Sequence, residues 1–342
     1  MKDLLEVENK LAGIILSAEQ KRKNVGDWIK QAKTFIQPVY LNPLDNCIVG
    51  VDGGMVKKSF HGVDLILLRA IAVAFYYKNN KLSSTDYYPS SLPPPEPRVV
   101  IDPFSDIEFE VNSNIERQIK EVEIACEALK KFSPDTLLLH GSIIPHYTFV
   151  PEKTSILFAN YKRMIEAYQN LFDAVKSTKT ILAGVVEDSR GTRFCELIYD
   201  SIPQDLKLIL NRSKDSNILA YALSRGERTV SFKYSSDAKK HPILRNFSDA
   251  ERIQTFYIKL GEMDRPIRVD FLADKPNADS IIASSLLSCT YNTTYTIPPV
   301  LVEADQRAKI EEKTLDDFYR RIAAKVGYTW GMLNLRRDNR PF

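Results

Sequence analysis

Cysteine is scarce in this chain of 342 residues, and the four present, Cys47, Cys126, Cys195 and Cys289, lie far apart. None forms a CxxC pair or has a histidine at zinc-finger spacing, which excludes a structural zinc knot and leaves reduced core thiols as the expectation. Glycine is sparse as well, and Gly53-Gly54 lacks the GxxxxGK pattern, so no nucleotide-cradling loop is expected. The histidines His61, His140, His146 and His241 are scattered, with no Ser-His-Asp or Cys-His arrangement. No apolar run reaches membrane-spanning length and the start, Met1-Lys2-Asp3-Leu4-Leu5-Glu6, reads as a charged helix, so no membrane association and a cytoplasmic location are expected. Charge of one sign is lacking too. Against 47 Lys and Arg stand 44 Asp and Glu, so any nucleic-acid contact must come from a local basic stripe rather than global attraction.

What is present is a substantial apolar fraction, 44%, enough for a real core in one large domain. Residues 3–36 carry apolar positions at helical spacing, interrupted by Lys21-Arg22-Lys23 and Gly26, which predicts two helices or one broken helix. A buried strand is expected to end at Asp52. Two β-rich runs, Asp64 to Tyr77 and Leu82 to Tyr88, are joined by Lys78-Asn79-Asn80-Lys81 and predict an antiparallel hairpin. The five prolines between Pro89 and Pro97 predict an extended surface connector, either a spacer or a polyproline ligand. Val111 to Phe132 repeats apolar residues at Ile115, Ile119, Val122, Cys126 and Leu129, the pattern of an amphipathic helix. A short buried strand, Thr136 to His140, a second helix, Ile156 to Val175, and another strand, Thr180 to Val186, follow.

The order strand, hairpin, helix, strand, helix, strand predicts an α/β fold of ribonuclease H-like type, a mixed sheet flanked by helices with additional helices at both ends. A generic three-layer α/β domain shares that order. The chain reads as a single domain over 1–342: N-terminal helices over 1–40, a core over 45–200, an elaboration over 203–275 that returns strands to the sheet or builds a dimer surface, and a helical part over 276–342 that completes the site.

In such a core, phosphate-cutting metals sit where the first strand's end, the first long helix and the fourth strand's end converge. The first strand supplies Asp52, a carboxylate on a rigid strand end beside small residues, although a turn aspartate has the same sequence appearance. The helix supplies Glu123, at the margin of the apolar stripe, which reads equally as a solvated helix glutamate. The fourth strand ends in His140, a ligand suited to manganese or zinc but poor for magnesium. Asp305 opens a late helix in Val302-Glu303-Ala304-Asp305, where an acidic first turn favoured by the helix dipole is the alternative. Candidate phosphate contacts are Lys57, Lys58, Arg117, Lys120, Arg190 and Arg193, and the basic tail Leu335 to Arg340 reads as a contact to DNA or an acidic partner or as a solvated end.

Four segments carry a family resemblance: Val49 to Gly54 (VGVDGG), Thr136 to Ile143 (TLLLHGSI), Ile181 to Arg190 (ILAGVVEDSR) and Pro298 to Ile310 (PPVLVEADQRAKI). In this order the chain resembles the NurA nucleases, archaeal DNA-end-resection enzymes that work with the HerA helicase. The resemblance implies manganese-dependent (or magnesium-dependent) cleavage of single-stranded DNA and 5′ to 3′ digestion of duplex ends, with DNA, a HerA-like hexameric helicase and a second copy of the chain as partners. It also implies catalytic roles for Asp52, Glu123, His140 and Asp305, the first three as metal ligands. The chain departs from the family pattern in placing His140 where a metal-binding aspartate is expected and Ile297 where a tyrosine is expected, with Tyr291 and Tyr295 close by. Losing one carboxylate weakens the hold on a metal pair, so low or altered activity is expected, unless Glu187 or Asp188 compensates. Two rivals remain at this point: a catalytically impaired NurA paralogue that binds DNA or the helicase, and a purely structural assembly subunit.

Overall fold

A computed structural model describes residues 2–101, 104–292 and 294–327. Among these the chain forms helix α1 (Lys2–Ala32), strands β1 (Ile36–Pro38), β2 (Cys47–Ser59), β3 (Val63–Lys78), β4 (Lys81–Tyr88) and β5 (Glu96–Ile101), helix α2 (Asp106–Phe132), strand β6 (Thr136–His140), helix α3 (Phe158–Lys176) and strand β7 (Ile181–Val186). Then come helices α4 (Arg193–Ile198), α5 (Gln204–Leu210) and α6 (Asp215–Ala222), strands β8 (Glu227–Thr229), β9 (Phe232–Lys233), β10 (Ile253–Ile258) and β11 (Ile267–Leu272), and helices α7 (Ala278–Cys289), α8 (Pro299–Ala308) and α9 (Glu312–Val326). The chain divides into two compact units, each built from separated segments: Met1–Leu44 with Ala183–Asp237 and Glu251–Pro298, and Asp45–Leu182 with Ala238–Ala250 and Pro299–Phe342. The segment 203–275 is therefore shared between both units. The basic tail at Leu335 to Arg340 lies outside the described residues.

The second unit carries a mixed sheet. β2 and β3 pair antiparallel along their whole length, from Cys47 opposite Tyr76 to Ser59 opposite Asp64. β4 continues on the C-terminal half of β3 and β5 on its N-terminal half. β6 runs parallel to β2, with Ile48 opposite Thr136 and Val51 opposite Leu139. Proline is absent from both central strands, as their ladders require, whereas Pro97 lies in β5, which pairs only with β3 and so tolerates a missing donor. The connector expected from Pro89 to Pro97 is thus extended, and its end becomes an edge strand.

Alternation along β2 decides which helix covers which face. A side chain at Gly53 would meet Glu121 and Arg117 of α2, whereas one at Gly50 or Gly54 would meet Val300 or Ala308 of α8. Successive strand residues point to opposite faces, so α2 and α8 sandwich the strand, and Asp52, in phase with Gly50 and Gly54, faces α8. α2 starts earlier than its apolar periodicity indicates, because Ser105 and Glu108 close a capping box at its N-terminus.

In the first unit β1, β8, β10 and β11 pair antiparallel in that order, β7 joins β11 and β9 joins β10. The expected break in the N-terminal helix does not occur: α1 is continuous over 31 residues. Gly26 is instead a crossing point, since a Cβ there would come 2.6 Å from Tyr221 Cβ on α6. That approach lets Val25 and Ile29 bury among Phe194, Leu219, Phe232 and Tyr257. All four cysteines are free thiols, three of them buried, and no helix among the described residues is long and apolar enough to cross a membrane.

Candidate metal centre

The register of β2 and β6 sets the first contact. One step beyond the Val51–Leu139 pair, Asp52 and His140 stand side by side, with His140 Nδ1 3.1 Å from Asp52 Oδ2. Asp52 is buried at 6% exposure, and its Oδ1 accepts the Gly53 amide at 2.7 Å, which fixes the carboxylate on the strand.

Asp305 comes from α8, and the spacing of β2 glycines explains how. Val300 sits over Gly50 and Ala308 over Gly54. Eight helical residues rise about 12 Å and four strand residues about 13 Å, so helix and strand advance together and the middle of α8, at Ala304 and Asp305, lies along Asp52. Arg69 on β3 holds that end of the helix, donating to the carbonyls of Lys309 at 2.9 Å and Arg307 at 3.3 Å. One ligand atom from each of Asp52, His140 and Asp305 lies within 4.8 Å of the other two, a spacing that fits a single cation. Glu303, two residues earlier, is engaged elsewhere: it accepts from Arg307 Nε at 2.9 Å and Tyr87 Oη at 3.1 Å.

The helix carboxylate beside this trio is Glu121, and the expectation of Glu123 is corrected. Two residues along a helix turn the side chain by about 200°, so the two glutamates occupy opposite sides. Glu123 is exposed and lines an open groove with Tyr88, Lys120, Arg163 and Glu166. Glu121 is buried, and Arg117 Nη1 donates to its Oε2 at 2.9 Å and to the Gly53 carbonyl at 3.0 Å. Burial pushes the Glu121 carboxyl up to about 8; Asp52 adds to that push, while Arg117 and His140 oppose it. The apolar stripe concealed Glu121 because α2 is buried on more than one face, with Asn112, Gln118 and Glu121 inside as well as Ile115, Ile119 and Val122. The available signal was Arg117 one turn earlier, at ion-pairing distance along the helix.

The basic residues proposed for DNA divide differently from the expectation. Lys57 is paired with Glu110 at 2.6 Å and bonded to Ser113, and the Lys58 ammonium lies over the rings of Tyr319 and Phe60. Arg117 serves Glu121. Arg193 meets Glu196 and the Lys233 carbonyl. Arg190 is exposed and lines a polar cavity of the first unit with Lys214, Ser216 and Arg265. In the same unit Asp188 pairs with Arg265 at 2.8 Å and Glu187 accepts from Tyr295 Oη at 3.4 Å. Ile297 is buried there. His146 in the second unit caps a 3-10 turn at Tyr147–Phe149 rather than joining the trio.

Asp52, His140 and Asp305 would hold a divalent cation, which would supply Lewis-acid polarisation of a bound oxygen and a lowered pKa of bound water. Two carboxylates and an imidazole form a mixed hard and borderline donor set that fits a divalent metal ion. Around that position the chain's own contribution is rigid placement: Asp52 in the middle of β2, which does not end there as expected but runs on to Ser59, His140 at the end of β6, and a helix locked to glycines.

Fold and site together define an α/β protein of ribonuclease H-like order with a candidate metal site where the end of β6 meets the middle of β2. The model of the NurA domain matches residues 47–310, most of the chain, and the protein belongs to the NurA family. The NurA nuclease from Sulfolobus solfataricus shares the fold with a TM-score of 0.62 at 15% identity, covering 95% of this chain and 96% of that one. A NurA structure with manganese gives 0.59 at 10% identity over 93% and 98% of the two chains, and a third NurA structure gives 0.55 at 10% identity over 94% and 97%. No curated protein matches the sequence.

Proposed function

We propose that this protein is a divalent-metal-dependent DNA nuclease that processes DNA ends, cutting single strands and digesting duplex from 5′ to 3′, with manganese as the favoured ion and magnesium a weaker one. The observation that carries the reading is the convergence of Asp52, His140 and Asp305 within 4.8 Å, inside a chain of the NurA family. The family resemblance adds the expected partners: a HerA-type hexameric helicase and a second copy of the chain. Asp52 is the central residue of the reading, because it is the buried carboxylate that touches the histidine.

The test is degradation of labelled single-stranded and duplex DNA with manganese. Wild-type protein is expected to cut, and Asp52→Ala to lose about a hundredfold or more of the rate, several kcal/mol of electrostatic stabilisation. Retention of DNA without cleavage by the wild type would instead favour the impaired paralogue acting as a DNA- or helicase-binding subunit, a reading that His140 in place of an aspartate supports. Neither cleavage nor DNA retention would leave a structural subunit.

A further inference from the structure

We infer that the site takes one divalent cation and that the Arg117 guanidinium stands as a fixed second positive charge beside it; the inference rests on the metal-dependent reading above. The donor atoms of Asp52, His140 and Asp305 converge tightly enough for one ion. Their formal charge with a neutral imidazole is that of two carboxylates, which one divalent ion balances. A second ion needs a further carboxylate, and Glu121 is the one beside Asp52. Its Oε2 is already occupied by Arg117 Nη1 at 2.9 Å, and the same nitrogen is anchored on the Gly53 carbonyl at 3.0 Å.

That anchoring makes the guanidinium part of the strand rather than a surface charge. The Arg117 side chain is 26% exposed and Glu121 only 5%, so water competes weakly for their pairing. The pair packs directly on Gly53: a Cβ there would lie 3.3 Å from Glu121 Oε2 and 3.5 Å from Arg117 Cγ. An arginine keeps its proton at every physiological pH, cannot be exchanged or chelated, and is strongly attracted to phosphate. Anchored on the Gly53 carbonyl next to Asp52, it occupies the Glu121 oxygen that a second metal would take and sets a fixed positive charge in that ion's way. Arg117 is thus a positioning residue for Glu121 rather than a free DNA contact.

Counting bound manganese tests this on the full chain, by equilibrium dialysis or by the loss of the free-ion paramagnetic resonance signal. Wild type is expected to bind about one ion per chain, Arg117→Lys to remain at about one, and Arg117→Met, which frees Glu121, to rise to about two. Because Arg117→Met leaves a buried carboxylate without its partner, the Arg117→Met, Glu121→Gln double variant serves as a second measurement and is expected to return to about one ion. Two ions on the wild type would overturn the inference while leaving the metal-dependent reading intact. No manganese on the wild type would overturn that reading itself, and the inference with it. A folded Arg117→Met variant that still binds one ion would refute the role given to Arg117.

Discussion

His140 Nδ1 and Asp52 Oδ2 stand 3.1 Å apart because β2 and β6 run parallel and in register up to the pair before them. The imidazole therefore occupies the position from which a carboxylate at the end of β6 would face Asp52. Replacing it by aspartate adds a hard oxygen donor and a negative charge at the same place. His140→Asp is expected to raise magnesium-supported cleavage by about tenfold relative to manganese-supported cleavage, since imidazole suits manganese and carboxylate suits both. Rates on labelled single-stranded DNA with each metal measure the ratio; an unchanged ratio would remove His140 from the ligand set.

Glu121 and Glu123 form a built-in comparison on α2. Glu121→Gln removes the buried carboxyl that couples to Asp52 while keeping an oxygen that can accept from Arg117. Its expected effect is a loss of about tenfold or more in cleavage, whereas exposed Glu123→Gln is expected to fall within about twofold of wild type. Equal losses, or a larger one at Glu123, would show that the helix phase has been assigned wrongly.

These two residues also mark what was legible in the sequence. The end of β6 at His140 was readable from a buried run closing on Gly141, but the expected end of the first strand at Asp52 was not met: β2 runs on through Gly53-Gly54 to Ser59, because both glycines stay in the ladder with β3 instead of turning the chain. The helix of Glu121 was readable too, but not its rotation, because the apolar stripe fixes one buried face and α2 has a second, partly polar one against Gly53. Asp305 was visible as an acidic residue on a late helix, while its distinction from Glu303 required Tyr87 and Arg307, more than two hundred residues and four residues away. The destinations of Lys57 and Lys58 depended on Glu110 and Tyr319, partners that no local pattern names. Tertiary distance, rather than weak periodicity, hid the missing parts.

Asp249 ties the segment 238–250 to α3, accepting from Lys176 at 2.8 Å, Ser248 Oγ at 2.9 Å and Gln169 at 3.2 Å. Burial alone would raise its pKa, but these donors outweigh burial and hold the carboxyl below its ordinary value. A group depressed on folding adds stability that is in place above its unfolded pKa, about 3.9, and is lost as pH falls through the lower folded value. Asp249→Asn is expected to melt below wild type at neutral pH, with the gap closing below about pH 4. Melting temperatures across pH 2 to 7 on both proteins check this; a gap independent of pH would show that the carboxylate's charge is not what the segment uses.

Gly54 is the point where α8 meets β2 most closely. A Cβ at Gly54 would stand 2.2 Å from the Ala308 carbonyl oxygen and 2.8 Å from its carbon. Both are backbone atoms, so no side-chain rotation relieves the clash and the helix itself must retreat, by about 1 Å to reach ordinary contact. Asp305 sits one turn before Ala308 on that helix, and its backbone carbonyl accepts the Lys309 amide at 3.0 Å, so the displaced turn carries the carboxylate with it. Gly54→Ala is expected to cost about 2 kcal/mol of stability and to weaken manganese binding at least about tenfold. Gly13→Ala, at a helical position with nothing within 4 Å of the added carbon, is the control, expected to stabilise by about 0.5–1 kcal/mol without touching metal affinity. Manganese affinity falling in Gly54→Ala but not in Gly13→Ala would tie the metal site to the packing of α8 on β2. Unaltered affinity in a folded Gly54→Ala variant would remove Asp305 from the site.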